Sequence, residues 1–280
     1  MSEADLQVSE RRFPRVRAAH FSAVLFVLIL IGLLSTGCIG DVDTPNNTLA
    51  PEGEVAEKQR DLFMLAMWPA LVVMILVEGG IVFMVLRWRR RSNDEMPKQT
   101  HGNTPLEIGW TIIPTIIIIV FVGIPMIPVL FELGRDPKAD AYPITVTGFQ
   151  WAWQFDHPEV EGPDGQPVSE LGELHIPAGR EIAVTLESLD VNHSFGVPRL
   201  AGTRDAIKGN TNVMWLKADH PGSFSGQCRE LCGVGHAEMK LTVIAQSEED
   251  FDAWRREMAA GTKSVPDSPS EDTVAVESGE

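Results

Sequence analysis

Hydrophobic and polar positions divide the chain into three continuous apolar runs followed by a region of short alternating runs. The first apolar run, residues 21–34, comes after four arginines and ends on small residues, as an export signal does. Cys38 follows at once. Two fates stay open for residues 1–37: cleavage before Cys38 with a lipid anchor on its thiol, or retention as an N-terminal membrane anchor. Residues 38–61, rich in Pro, Asn, Gly and acids, are expected to form an external linker.

The two longer apolar runs predict a transmembrane hairpin over residues 62–132, with helices at 62–88 and 108–131. Glu78 in the first helix should face a partner helix or be protonated, because a carboxylate at mid-bilayer costs about 2.5–3.5 kcal/mol. Prolines in the second run exclude a fully regular helix. Basic residues fill the loop between the helices, which is therefore expected in the cytoplasm. The hairpin then places everything after about residue 133 outside the cell membrane.

The region after residue 133 shows the short alternating runs of an all-β fold. Close spacing without βαβ alternation predicts a Greek-key sandwich or barrel over residues 133–260. Residues 248–258 have helical spacing of their apolar positions, and residues 261–280 are expected to be a disordered acidic tail. The predicted strands are 144–148, 150–155, 173–176, 181–187, 212–217, 223–227 and 240–245.

Net charge and cysteine content exclude some classes of function. The 280 residues carry a net charge of −16, which argues against nucleic acid as a partner because phosphate binding needs clustered Lys and Arg. From residue 134 onward there are 12 basic and 25 acidic residues. The acidic surface fits either docking of a basic protein partner or adaptation to salt. Three cysteines are too few for a disulfide framework in a chain of this length, which leaves metal, redox or lipid chemistry.

A soft ligand set lies within twelve residues: Cys228, Cys232, His236 and Met239. Thiolate and thioether together favour copper, whereas zinc has no use for Met. Three residues separate the two thiols, so the C-x-x-C spacing of a zinc ribbon or a thioredoxin-type dithiol is absent. A mononuclear blue-copper loop would leave one thiol unexplained. A Cys228–Cys232 disulfide is the simple alternative, but it leaves the imidazole and the thioether without a role.

A further ligand and an aromatic strand complete the candidate chemistry. His193, between apolar and small residues, is the expected distant imidazole ligand, whereas His157, His175 and His220 are interpreted as surface or strand-end residues. Alternation would put Trp151 and Trp153 on one face of a strand. Trp153 is then expected in the core and Trp151 at the surface as a candidate entry point for electrons.

The pattern C-x-E-x-C-x-x-x-H-x-x-M, with D-V-x-H-S and G-x-Q-W-x-W upstream, resembles subunit II of the haem–copper oxidases, specifically cytochrome c oxidase with a CuA centre. The resemblance implies a cupredoxin-like domain in which Cys228 and Cys232 bridge two copper ions. It implies that His193 and Met239 complete one copper, and that His236 and the backbone carbonyl of Glu230 complete the other.

The same resemblance implies the remaining roles and partners. The side chain of Glu230 would reach a magnesium ion shared with the haem-bearing subunit I. Trp151 would accept the electron from cytochrome c or a small copper protein, and Glu107 would stand at the cytoplasmic entrance of a proton path. The expected function is electron entry into an aerobic terminal oxidase that reduces oxygen in subunit I and translocates protons.

Three other functions stay open: a copper-free structural subunit of a quinol oxidase, a membrane-tethered copper carrier, and the CuA subunit of a nitric oxide reductase. All six ligand positions are filled, which disfavours the first of these. Three departures from the family pattern touch no ligand: Ala152 between the two tryptophans, Arg229 inside the copper loop, and residues 205–210. They bear on the docking of the donor and on the contact with subunit I.

Overall fold

The computed structural model describes residues 46–88, 99 and 101–262. The expected export signal, Cys38, most of the loop between the apolar helices and nearly all of the acidic tail lie outside these residues. The described part consists of two long apolar helices followed by a β-sandwich and a short C-terminal helix. The predicted fold class is confirmed.

The first apolar helix, α1, spans Glu54–Trp88. The second begins at Thr104 after the cap Asn103 and runs as α2 (Thr104–Ile117), a π-helical segment (Ile118–Gly123) and α3 (Ile124–Leu133). The π segment lies between Pro114 and Pro125, as expected where prolines remove backbone donors. Both helices are long and apolar enough to cross a membrane. Lys58 Nζ lies 3.3 Å from Glu132 Oε1, so the start of α1 lies beside the end of α3.

The predicted linker 38–61 is wrong over its second half, because α1 begins at Glu54 and not at residue 62. The segment before the helix is attached to the sandwich. The Glu52 amide donates a hydrogen bond to the Arg199 carbonyl over 2.7 Å, and Gly53 forms an isolated antiparallel β-bridge with Ala218. Val55 is buried within the hydrophobic core. Most of residues 54–61 favour a helix, and acids in the first turn stabilise its start. Burial of an apolar side chain in this turn adds to these effects and outweighs the polar composition of the segment.

Two five-stranded sheets form the sandwich, in the orders β3-β2-β1-β5-β8 and β4-β10-β9-β6-β7. Strands β1 and β5 run parallel, as do β4 and β10, and the other pairings are antiparallel. The strands are β1 (Tyr142–Phe149), β2 (Ala152–Glu161), β3 (Pro167–Leu171), β4 (Glu173–Pro177), β5 (Ile182–Ser188), β6 (His193–Gly196), β7 (Thr203–Ala206), β8 (Asn212–Leu216), β9 (Gly222–Cys228) and β10 (Lys240–Gln246).

The core between the sheets is built on large aromatic side chains, among them Trp153, Phe155 and Phe195. Helix α4 (Glu248–Ala259) lies against the sandwich and buries the apolar positions that its helical spacing indicated. This helix and the core position of Trp153 are confirmed. The burial of several aromatic rings gives the sandwich a rigid frame for the loops at its end.

Three strands were absent from the prediction: β3, β6 and β7. Strand β7, Thr-Arg-Asp-Ala, lies at a sheet edge and is mostly exposed, so it has no apolar alternation to detect. Strand β6 is buried on both faces and only four residues long. The predicted strand 150–155 is also wrong at its start, because residues 150–151 form the turn before β2 and Trp151 therefore leaves the face that Trp153 occupies.

Candidate metal centre

The sequence-predicted ligands meet at one end of the second sheet. His193 is the first residue of β6 and Cys228 the last of β9, and the strands are held in register by the Phe195–Cys228 pair. The loop from Cys228 to Met239 is closed by a 2.9 Å hydrogen bond from the Cys228 amide to the Met239 carbonyl. A single 3₁₀ turn, His236–Glu238, directs the loop back to β10. The two ends of the loop therefore start and finish beside each other.

Donor atoms from five side chains and one carbonyl converge there. One donor atom from each of His193, Cys228 and Cys232 lies within 4.8 Å of the others, and all three residues are buried. The two Sγ atoms are 3.8 Å apart and both thiols are free. The neighbouring distances are Cys228 Sγ to His193 Nδ1 3.9 Å, Cys228 Sγ to the Glu230 carbonyl 3.2 Å, Cys232 Sγ to His236 Nδ1 3.6 Å and Cys232 Sγ to Met239 Sδ 3.8 Å.

Asp190 orients His193. Its Oδ1 lies 2.8 Å from His193 Nε2, so the carboxylate holds the ring with Nδ1 toward the thiols. Gly148 makes room for this ring, because a Cβ there would lie 3.1 Å from both His193 and Trp153. Asp190 is the first residue of the D-V-x-H-S pattern, and the sequence analysis assigned it no role. Its three-residue spacing from a predicted ligand was the available signal.

The two thiols differ in acidity. Burial raises the pKa of Cys228, but hydrogen bonds from His193 and from the loop backbone outweigh burial and lower it well below the ordinary thiol value. Burial and the adjacent charge of Cys228 raise the pKa of Cys232. Burial also lowers the pKa of His193, and its bonds to Cys228 and Asp190 reverse this and raise it. The Cys228 thiol therefore loses its proton more easily than the Cys232 thiol. The Cys232 thiol keeps its proton until a cation compensates the additional negative charge.

Trp151 lies directly against the loop although it is 37 % exposed. Its Nε1 donates to the Cys232 carbonyl over 3.3 Å, and Gln150 Nε2 donates to the same oxygen over 2.6 Å. Gly235 lies under the indole, where a Cβ would come within 2.5 Å of the ring. An exposed aromatic ring therefore connects solvent to the backbone of a buried thiol. Sequence reasoning missed Gln150 and Gly235, whose roles appear only in this contact.

Two other predicted site residues lie apart from the donors. The side chain of Glu230 is exposed, and only its carbonyl faces the thiols. Glu107 lies in the first turn of α2, where its carboxylate accepts from the Asn103 amide over 3.0 Å while Asn103 accepts from Leu106. In this structure Glu107 completes a reciprocal cap at the start of the helix.

The interpretation of His157 and His175 as surface residues is wrong, whereas His220 is exposed as expected. Both buried imidazole rings are hydrogen-bonded to the same carboxylate, that of Glu170. Its Oε2 is 3.0 Å from His157 Nε2, and its Oε1 is 2.6 Å from His175 Nδ1. A buried carboxylate needs such donors, and strand alternation brings the two rings to it from β2 and β4.

Comparison with known proteins agrees with this geometry. The family model described as "Cytochrome C oxidase subunit II, transmembrane domain" matches residues 52–129, and the one described as "Cytochrome C oxidase subunit II, periplasmic domain" matches residues 170–246. The helices therefore correspond to the membrane part of this family and the sandwich to its domain on the outer face of the membrane.

Individual relatives are named as subunit 2 of cytochrome c oxidases and of quinol oxidases. The chain is 39 % identical to cytochrome c oxidase subunit 2 of Alkalihalophilus pseudofirmus, over 83 % of this chain and 67 % of that one. It is 32 % identical to quinol oxidase subunit 2 of Bacillus cereus, over 79 % of this chain and 75 % of that one. The solved periplasmic domain of subunit II of the Bradyrhizobium japonicum cytochrome oxidase is 31 % identical, covering 44 % of this chain and 96 % of that one with a TM-score of 0.38.

The two family matches together take in the first membrane-length helix, most of the second, and the segment that carries every predicted metal ligand. Because both matches and the relatives agree, the chain belongs to the cytochrome c oxidase subunit II family.

Proposed function

We propose that this chain is the electron-entry subunit of an aerobic terminal oxidase, which takes electrons on the outer face of the membrane at two copper ions of the CuA type. The observation that carries the proposal is the convergence of two free buried thiols, two imidazoles, a thioether and a carbonyl on one point. Thiolate and thioether donors favour copper over hard cations.

The donor positions support a division of the ligands. Cys228 and Cys232 would bridge the pair, since each thiol has its own imidazole neighbour, His193 for the first and His236 for the second. Met239 and the Glu230 carbonyl fill the remaining places. Bound copper would supply reversible one-electron transfer. The chain's part is to keep the donors fixed: the Asp190–His193 bond and the closed loop hold them in place, so little rearrangement accompanies a change of charge.

Electron entry is assigned to Trp151. Its indole is 37 % exposed and donates a hydrogen bond to the Cys232 carbonyl, so it connects solvent to the backbone of a predicted ligand. The electron donor would be cytochrome c or a small copper protein. Either donor would dock over this ring. The acidic surface would attract a basic donor, and added salt would weaken this electrostatic attraction.

The membrane part would pack on a haem-bearing subunit I, where oxygen is reduced to water and protons are translocated. The exposed apolar surfaces of α1 to α3 support such a partner. Glu107 is proposed at the entrance of the proton path, and its exposed carboxylate at a helix start is open to water or to subunit I. The exposed side chain of Glu230 would hold magnesium together with ligands of subunit I, since the described residues form no second metal cluster around it.

The direct test is metal analysis of the full chain in detergent. Residues 52–56 pack on the sandwich, so a fragment beginning near residue 133 would lose part of the core. We expect two coppers per chain and a near-infrared mixed-valence band, both absent from Cys228→Ser and retained in the control Ser225→Ala on β9. One copper per chain, or bound zinc, would overturn the dinuclear assignment.

The quinol oxidase name among the relatives makes a copper-free subunit the competing function. Steady-state turnover of the purified complex separates the two. We expect turnover with reduced cytochrome c or a reduced small copper protein that Trp151→Phe slows without changing the near-infrared band. Turnover with quinol alone, in a complex without that band, would establish the competing function.

A further inference from the structure

A cleft opens where α1 begins, α3 ends and both meet the sandwich. Its volume is about 90 Å³, and strands β7 and β8 form the wall opposite the helices. The residues that line the cleft include none of the predicted metal ligands, and neither Trp151 nor Glu107.

The charge of this cleft is opposite to that of the protein. Two arginines, Arg135 and Arg204, line it and no Asp or Glu does, although the whole chain carries −16. Arg135 is neutralised by Glu181, which accepts two hydrogen bonds from it at 2.9 and 2.8 Å. Arg204 is exposed and makes no side-chain hydrogen bond or ion pair to any residue the structure describes. One uncompensated guanidinium is thus left on the wall.

Two further N–H donors line the cleft, one on β8 and one on α1. Trp215 is 2 % exposed, and its Nε1 has no hydrogen-bond partner within the described part of the chain. The Gln59 amide lies over Gly202, where a Cβ would come within 2.4 Å of Nε2, so the glycine makes room for it. A buried N–H is normally paired, and its exceptions call for a missing acceptor. The cleft therefore offers donors from three elements and needs an acceptor with several oxygens.

The cleft lies next to the point where the exposed apolar surfaces of the two helices end. Gln59 is one helical turn before Phe63, where the exposed apolar surface of α1 begins. Phe131, in the last turn of α3, is 77 % exposed and close in sequence to the cleft residue Leu133. Polar walls above and apolar helix faces below match the two parts of a phospholipid.

We propose that this cleft binds the phosphate group of a membrane phospholipid. Arg204 would supply a charge-assisted fork, and the Trp215 indole and the Gln59 amide would supply further N–H groups. The acyl chains would lie along the part of the exposed apolar surfaces of α1 and α3 that subunit I leaves open to lipid. A carboxylate of a partner protein could pair with the guanidinium, but the spread of donors over three elements and the adjoining apolar helix surfaces favour a phosphate with its four oxygens.

Native mass spectrometry of the full chain in detergent tests the proposal, with palmitoyl-oleoyl phosphatidylglycerol and inorganic phosphate added separately. We expect one tightly held lipid per chain. Arg204→Gln should weaken lipid binding about tenfold or more, the usual consequence of losing a charge-assisted bond. Trp215→Phe keeps a ring for Arg135 to stack on, at 4.0 Å in the wild type, and should weaken binding through the lost N–H alone.

Arg256→Gln is the matched control, since this exposed arginine in α4 is outside the cleft, and its lipid binding should equal that of the wild type. Circular dichroism of each variant checks that the sandwich is folded. Equal lipid affinity in the wild type and Arg204→Gln would overturn the proposal. So would displacement of the lipid by inorganic phosphate at equal concentration, which identifies a free-phosphate site. Loss of the lipid on assembly with the haem-bearing partner would also overturn it, because a protein carboxylate would then fill the cleft.

Discussion

Replacing Glu170 by Gln removes the charge at the centre of the buried cluster that lies beneath helix α4. Glu170 is 6 % exposed and accepts hydrogen bonds from both histidine rings and from the His175 amide. Trp254 of α4 covers this cluster, with its ring stacked on His175 at 5.2 Å. The carboxylate therefore joins β2, β4 and the C-terminal helix.

The pKa of Glu170 gives the size of the effect. Burial raises this pKa, but the bonds from His157 and His175 outweigh burial and hold it at about 2, below the ordinary 4.5. A difference of that size corresponds to about 3 kcal/mol of folding free energy. Because the folded-state pKa is the lower one, this stability is present above pH 4.5 and is lost as the pH falls toward 2.

The assay is chemical unfolding of the full chain in detergent, followed by tryptophan fluorescence between pH 7 and pH 2.5. We expect Glu170→Gln to be about 3 kcal/mol less stable than the wild type at pH 7, with the difference closing below pH 4.5. Glu181, whose pKa Arg135 also holds at about 2, is present in both proteins and cancels from the comparison.

Glu173→Gln on β4 is the control, because Glu173 is exposed and, among the residues that the structure describes, makes no ion pair with the cluster. Its stability should follow the wild type at every pH. A constant difference between wild type and Glu170→Gln from pH 7 to pH 2.5 would refute the reasoning, since the loss would then come from packing and not from the carboxylate charge.

Three further substitutions test other contacts. Gly235→Ala pushes a methyl group into the ring of Trp151 and should slow electron entry on the order of tenfold in stopped-flow assays, with copper content unchanged; an unchanged rate would remove Trp151 from the path. Trp254→Ala should cost about 3–5 kcal/mol of unfolding free energy through the cavity it leaves, and a loss below 1 kcal/mol would contradict its burial. Arg135→Lys loses the paired bonds to Glu181 and should lower unfolding free energy by about 1–3 kcal/mol, measured by denaturant titration, whereas a neutral effect would show that a single charge suffices.

Local patterns in the sequence were sufficient for the helices, for most strands and for the metal-ligand types. Apolar length alone predicts two membrane-length helices, because side chains that face lipid are predominantly apolar whatever their neighbours are. Four donors within twelve residues predict soft-metal chemistry, because a short loop cannot carry them far apart. Helix α4 followed from its spacing.

The tertiary structure decided what depends on contacts distant in sequence. The pairing of β6 with β9 brings His193 to Cys228, 35 positions away, and the turn before β2 places Trp151 on the carbonyl of Cys232. Neither contact has a local signal, because strand alternation specifies a face and not a neighbour.

The buried Glu170 cluster and the docked segment at the start of α1 were mispredicted for one physical reason. In sequence, His157 and His175 have the polarity of surface residues, and Glu54–Asp61 has the polarity of a solvated linker. Burial of polar groups becomes favourable only when their hydrogen bonds are completed by distant partners, here Glu170 for the histidines and the Arg199 and Leu200 carbonyls for the segment. The sequence by itself determined which residues could ligate a metal and which could lie in lipid. Only the folded chain determined which polar groups have partners.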